Sequence, residues 1–212
     1  MNMNQPNRPA CFLIILAMFT SLTGICQNGK YAIKPGSYDE RLNLSFDKKS
    51  DIISGLIAMS NEGNGPGITC SLLFKSSPQQ KMNEPNKYLV DFSNEGDTVK
   101  AGSGYIEIKN DGVNVKCNGI FTNCQNLMDL GGETGEFFEF TTAKPFISAN
   151  TINSAKAYIY KTASDTAKTK MYLIKNNFIS IITIKNSWVS FEYMSPSGKR
   201  IKGWLRKEDI AL

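Results

Sequence analysis

The chain has 212 residues, 41% of them hydrophobic and 20% charged, with 24 basic and 19 acidic side chains and no histidine. That length allows one ordinary domain or two small ones, and the apolar content suffices for a true core. The missing histidine excludes Ser-His-Asp and Cys-His triads, the H-E-x-x-H zinc site and histidine acid–base chemistry.

The first segment, MNMNQPNRPACFLIILAMFTSLTGICQNGK, carries Arg8 and then an almost unbroken apolar run from Cys11 to Thr20. So short a run cannot span a bilayer, which takes ~20 residues, but it fits the apolar region of a secretory signal. Residues 1–26 are therefore expected to be a signal peptide and 27–37 a tail. The mature chain would be exported, periplasmic or secreted, with no transmembrane span. Gly24 and Cys26 stand at the small-residue positions for cleavage before Gln27; the alternative is a lipid anchor on Cys26, although the branched Ile25 precedes it. Export leaves Cys70, Cys117 and Cys124, which in an oxidising compartment means one pair and one spare. Cys117 and Cys124 flank a turn-rich segment that suits a local disulfide staple, with Cys70 in the apolar run GITCSLLF as a core thiol. Pairing of Cys70 with either of the others stays open.

From Tyr38 onward the pattern is β. RLNLSF places Leu42, Leu44 and Phe46 on one face, and ITCSLLF, KYLVDF, YIEI, VNV and FFEF repeat the alternation. Asn110-Asp111-Gly112 between two of these segments is a hairpin signal. Residues 38–147 are expected to form an antiparallel β-barrel or sandwich. Two loops, Ser60–Gly67 and Ser93–Thr98, share the string Ser-Asn-Glu-Gly, but neither has the calcium-loop spacing, and polar turns are the default at strand ends. A boundary falls near 144–154, where Pro145 and small polar residues separate two β-rich stretches. Charge divides there too: residues 27–151 carry 12 basic and 15 acidic side chains, a net −3, and residues 152–212 carry 11 and 4, a net +7.

Residues 152–212 read as five short strands, Ala157–Tyr160, Met171–Lys175, Phe178–Ile184, Trp188–Met194 and Arg200–Leu205, with turns at Asn176-Asn177, Asn186-Ser187 and 195–198. Five such strands point to a small barrel. The succession of a Y-x-Y strand, Y-L-x-K-N-N turn, N-S-W-V and G-K-x-x-K-G-W-L resembles a bacterial SH3-like (SH3b) domain. Trp188 and Gly203-Trp204 stand at that family's tryptophan positions, and Lys175-Asn176-Asn177 at its usual Lys-Gly-Asp turn. The match departs in the first strand, Ala157–Lys161, which lacks the family's Leu-Asn-Val-Arg-type stretch and the proline after it. The resemblance implies an SH3-like barrel for these sixty residues, and with the alternating segments before it the expected chain is all-β, a barrel or sandwich preceding an SH3-like barrel. It also implies binding, often of peptides or cell-wall fragments, and not catalysis.

Tyr158, Tyr160, Trp188, Tyr193 and Trp204 are the candidates for an aromatic groove that takes an extended ligand. Lys199, Arg200, Lys202, Arg206 and Lys207 form a basic run suited to anionic wall polymers or an acidic partner. No cofactor is implied, and nucleic acid is an unsuitable partner for an exported chain. Glu133, Glu136 and Glu139 cluster in sequence, but period 2 points Glu139 away from Glu136, so a glycosidase pair is not indicated. The expected role is an exported, non-catalytic binding protein of the cell envelope, taking a peptide, a peptidoglycan fragment or an envelope protein. The alternative is an inhibitor or immunity protein whose acidic front module blocks a basic hydrolase or toxin.

Overall fold

Alternating apolar and polar residues over short segments produce fourteen strands in the described part of a computed structural model of the chain. The structure describes residues 31–60, 69–81, 84–96, 100–119, 129–195 and 199–212, and only the backbone of 60, 69 and 78–81. The expected signal peptide, the Cys26–Gln27 cleavage or lipidation site and Cys124 lie outside these residues. So do parts of the loop at 60–67, of the loop at 93–98 and of the turn at 195–198.

Strands β1 (Gly36–Tyr38), β2 (Leu42–Asp47), β3 (Ile52–Ser60), β4 (Thr69–Lys81), β5 (Lys87–Asn94), β6 (Lys100–Ile108), β7 (Gly112–Gly119) and β8 (Glu136–Ala143) form an antiparallel meander. Pairing of β8 with β1 closes it into a barrel, which settles the choice between barrel and sandwich. Gly36 and Ser37, read from sequence as tail, are part of β1. Period 2 turns Leu42 and Leu44, Ile53 and Ile57, Leu72 and Phe74, Val90 and Phe92, and Val113 and Val115 into the interior. Closure leaves the sheet without an open edge. At one corner Gly102 pairs with Gly119, and a Cβ on Gly104 would overlap the Lys116 carbonyl oxygen, so β6 and β7 approach more closely than side chains permit. The β6–β7 turn keeps Gly112 for a related reason: a Cβ there would overlap the Phe138 carbonyl oxygen on β8.

The same parity corrects the expected disulfide. Cys117 follows Val113 and Val115 at two-residue steps, so it points into the barrel, where its thiol is free and fully buried. Burial pushes that thiol up to about 12. Cys70 is buried in the barrel core as its apolar run implies, but it is disulfide-bonded and not a free thiol, the alternative left open above.

A second antiparallel sheet follows. It comprises β9 (Ser148–Thr151), β10 (Lys156–Tyr160), β11 (Lys168–Ile174), β12 (Phe178–Lys185), β13 (Trp188–Met194) and β14 (Arg200–Arg206), in the order β11-β10-β14-β13-β12-β9. β9 occupies the stretch read from sequence as linker. One face buries Ala157, Ile159, Leu173, Ile179, Ile181, Val189, Phe191, Tyr193 and Leu205. Asn186, at φ 54, makes the two-residue β12–β13 turn. Asn176, at φ 67, turns a corner between strands that do not pair, and its N–H reaches the Ile152 carbonyl at 2.8 Å.

Residues 31–212 form one compact unit, because the second sheet lies on the outer face of β2 and β3. Outward-pointing Asn43, Ser45, Ser54 and Leu56 are buried there, so both faces of these strands are covered. Leu56 packs with Ala149 and Phe178, and the Ala149 N–H donates to Ser54 Oγ at 2.9 Å. Glu192 on β13 is 1% exposed in this seam. Its Oε1 accepts hydrogen bonds from Lys144 Nζ, at 2.8 Å, and from Arg200 Nη1. Lys202 Nζ stands 3.4 Å from Oε2, which accepts no hydrogen bond. Arg200 also donates to Asn43 Oδ1 at 3.2 Å and to the Glu40 carbonyl at 2.8 Å, tying the sheet to the start of the barrel. Burial pushes the Glu192 carboxyl up, but the bonds from Lys144 and Arg200 outweigh it and hold it below the ordinary glutamate value of 4.5.

Glu192→Ala, which leaves these cations without their carboxylate, should lower unfolding free energy by about 3 kcal/mol in urea titrations. The depressed folded value means that the contribution is complete above the unfolded pKa and fades as pH falls through the folded one. Wild type should therefore lose more stability than Glu192→Gln between about pH 6 and about pH 3. In thiol labelling mapped by mass spectrometry, Cys117 should stay unmodified in native protein and react only once denaturant opens the barrel.

Candidate functional site

The second sheet's core face takes the odd-numbered residues of β10, β13 and β14, so the even-numbered ones form its outer face. The barrel covers that face where Ser180, Glu192 and Arg200 stand. Beyond the seam the same face carries Trp188 on β13, Trp204 on β14, Tyr158 and Tyr160 on β10 and Tyr172 on β11. Register joins them: Tyr160 pairs with Trp204, and Tyr158 with Tyr172.

The rings meet edge to face. Tyr160 and Trp188 have centroids 4.8 Å apart at 77°, and Tyr158 and Tyr172 6.0 Å apart at 64°. Cations cover the row: Arg206 lies 4.1 Å from the Trp188 centroid, Lys168 3.5 Å from that of Tyr158 and Lys156 5.0 Å from that of Tyr172. Exposure ranges from 8% at Trp188 and 9% at Tyr160, through half-buried Trp204 and Tyr158, to 45% at Tyr172 on the edge strand. β11 is the outermost strand, and Met171 and Ile174 on it are exposed as well.

Of the five aromatic candidates, Tyr158, Tyr160, Trp188 and Trp204 come together on this face. Tyr193 does not. It follows Val189 and Phe191 at two-residue steps into the core, where burial first and Glu95 second push its hydroxyl up to about 12. The basic run also divides. Arg200 and Lys202 attend Glu192, Arg206 covers Trp188, Lys199 is exposed before β14, and Lys207 opens the last 3-10 turn. These five cations therefore do not form one continuous patch. Tyr172, Lys156 and Lys168 belong to the face but were not picked out from sequence. The signal was available, since inward Leu173 fixes Tyr172 as outward.

Of the acidic residues considered for chemistry, Glu136 and Glu95 are engaged in structural bonds. Glu136 Oε1 accepts from Arg41 Nη1 at 2.7 Å, and its Oε2 accepts the Asp129 N–H at 3.1 Å. In the loop after β5, Glu95 Oε1 accepts Asn177 Nδ2 at 2.9 Å and the Gly96 carbonyl accepts Asn176 Nδ2 at 3.2 Å, so this loop docks the barrel on the second sheet. Among the described residues, no group of three or more Cys, Asp or Glu could hold a metal ion, and no helix is long and apolar enough to cross a membrane. Comparison with protein-family models, with curated proteins and with solved structures finds no match.

The exposure gradient separates support from contact. Trp188→Ala should cost about 3 kcal/mol in urea unfolding, whereas Tyr172→Ala should stay within about 0.5 kcal/mol of wild type.

Proposed function

We propose that this chain is an exported, non-catalytic binding protein of the bacterial cell envelope. Its second sheet takes an extended peptide or peptidoglycan fragment across the Tyr158–Tyr172–Trp204 face. The observation that carries this reading is the contrast within one sheet face: the barrel covers one half, and the other half keeps an aromatic row with cations on its rings. Flat aromatic side chains offer a large contact area with little rotamer entropy to lose, and they suit extended ligands. The resemblance of residues 152–212 to bacterial SH3-like domains supports the same role. So does the succession of β10–β14 closed by a 3-10 turn at Lys207–Asp209. Export rests on the signal-like segment at 1–26.

Purified protein should be retained on peptidoglycan sacculi in a sedimentation assay. The Tyr158→Ala/Tyr172→Ala double variant should lose roughly tenfold in affinity with its urea midpoint nearly unchanged. Wild type that stays in the supernatant would remove peptidoglycan as the ligand and leave only the peptide. Capture of a basic hydrolase without sacculus retention would favour inhibition instead.

A further inference from the structure

Arg206 is held in an arrangement suited to a carboxylate. It lies opposite Trp188 in the β13–β14 register, and the indole face beneath its guanidinium fixes the plane of the donor fork. The Asp165 carboxylate already pairs with this guanidinium, its Oδ1 accepting from Nη2. Asp165 sits on the seven-residue loop 161–167 between β10 and β11, whose base is closed by the Lys161 N–H on the Ala167 carbonyl at 3.0 Å. It is the one acidic residue between 152 and 191. Its side chain is 71% exposed, against 27% for Arg206. Beyond Arg206 opens a cavity of about 480 Å³, lined by Ser187, Arg206, Lys207, Glu208, Ile210 and Leu212.

We infer that Arg206 binds a carboxylate of a peptide ligand, and that Asp165 is an internal stand-in which the ligand's carboxylate displaces. The inference rests on the binding role proposed above and names its ligand chemistry. An ion pair this exposed is weakly held, so an incoming carboxylate can exchange with it. The guanidinium stays stacked on Trp188 during the exchange and needs no reordering. Lys168 and Lys156, over Tyr158 and Tyr172, continue the line of cations along the row, as an extended ligand with several carboxylates requires.

A labelled deca-glutamate peptide, followed by fluorescence anisotropy on the mature chain, tests this, with deca-glutamine as the uncharged control. Asp165→Asn should bind deca-glutamate about threefold to fivefold tighter than wild type, because the competitor is gone. Arg206→Gln should weaken binding roughly tenfold, and Asp165→Asn should add nothing in that background. Glu139→Gln, an equal change of charge on exposed β8, should shift affinity by less than about 1.5-fold. The inference is overturned if the Asp165→Asn gain is no larger than that of Glu139→Gln, if the gain survives Arg206→Gln, or if Asp165→Asn binds neither peptide. Sacculus retention is read separately: retention by wild type with no Asp165 effect removes this inference alone, and a full Asp165–Arg206 coupling without retention removes the wall ligand alone.

Discussion

The buried carboxylate of Glu192 is the constraint on which the arrangement of the two sheets depends. A charge taken out of water must be met at once by opposite charge and hydrogen bonds, or the folded state loses several kcal/mol. Here the compensation comes from both sides of the boundary: Lys144 from the segment leaving the barrel, and Arg200 and Lys202 from the neighbouring strand. Arg200 also bonds Asn43 and the Glu40 carbonyl, so satisfying Glu192 positions the barrel. The apolar contact of Leu56, Ala149 and Phe178 excludes water but tolerates sliding, whereas a hydrogen-bonded charge cluster has few satisfied geometries. The apolar patch supplies area to the seam and the charged cluster supplies its register.

This division explains why the barrel presents small polar residues on its covered side. Ser37, Asn43, Ser45 and Ser54 are short enough to let the second sheet approach, and three of them carry side-chain bonds that answer the burial. Ser37 Oγ donates to Asn43 Oδ1 at 2.8 Å, Asn43 Nδ2 to Ser180 Oγ at 3.2 Å, and Ser54 Oγ accepts the Ala149 N–H. The loop after β5 adds a second point of attachment at the Asn176–Asn177 corner. Fixed at both places, the second sheet has one half of its outer face shut and the other half open.

Strand parity was legible in the sequence, and where it was followed it gave the correct side. Leu42 and Leu44 face inward as their spacing requires, and the alternating segments of 38–147 do form a barrel. Two residues depart from the sequence expectation, because at them proximity along the chain and strand parity point different ways. Cys117 looked like the partner of nearby Cys124, although it continues the inward series of Val113 and Val115. Tyr193 looked like a groove residue beside Trp188, although it continues that of Val189 and Phe191. Other features were beyond a one-dimensional reading. Burial of both faces of β2 and β3 depends on a sheet that begins about a hundred residues later. The pairing of Asp165 with Arg206 depends on how a loop returns over strands that are neighbours only after folding. A basic run in sequence likewise says nothing of which cations an internal carboxylate will claim.

Two groups among the basic side chains that give residues 152–212 their net +7 therefore have different consequences. Lys144, from just before the module, joins Arg200 and Lys202 around Glu192, and Lys144 and Arg200 are held on its Oε1 inside the seam. Lys156, Lys168 and Arg206 stand on aromatic rings at the open half of the face. Lys156 and Lys168, over exposed Tyr172 and half-buried Tyr158, are only lightly held, whereas Arg206 lies over buried Trp188. Positive charge therefore stands outermost on this half of the face, above the aromatic surface.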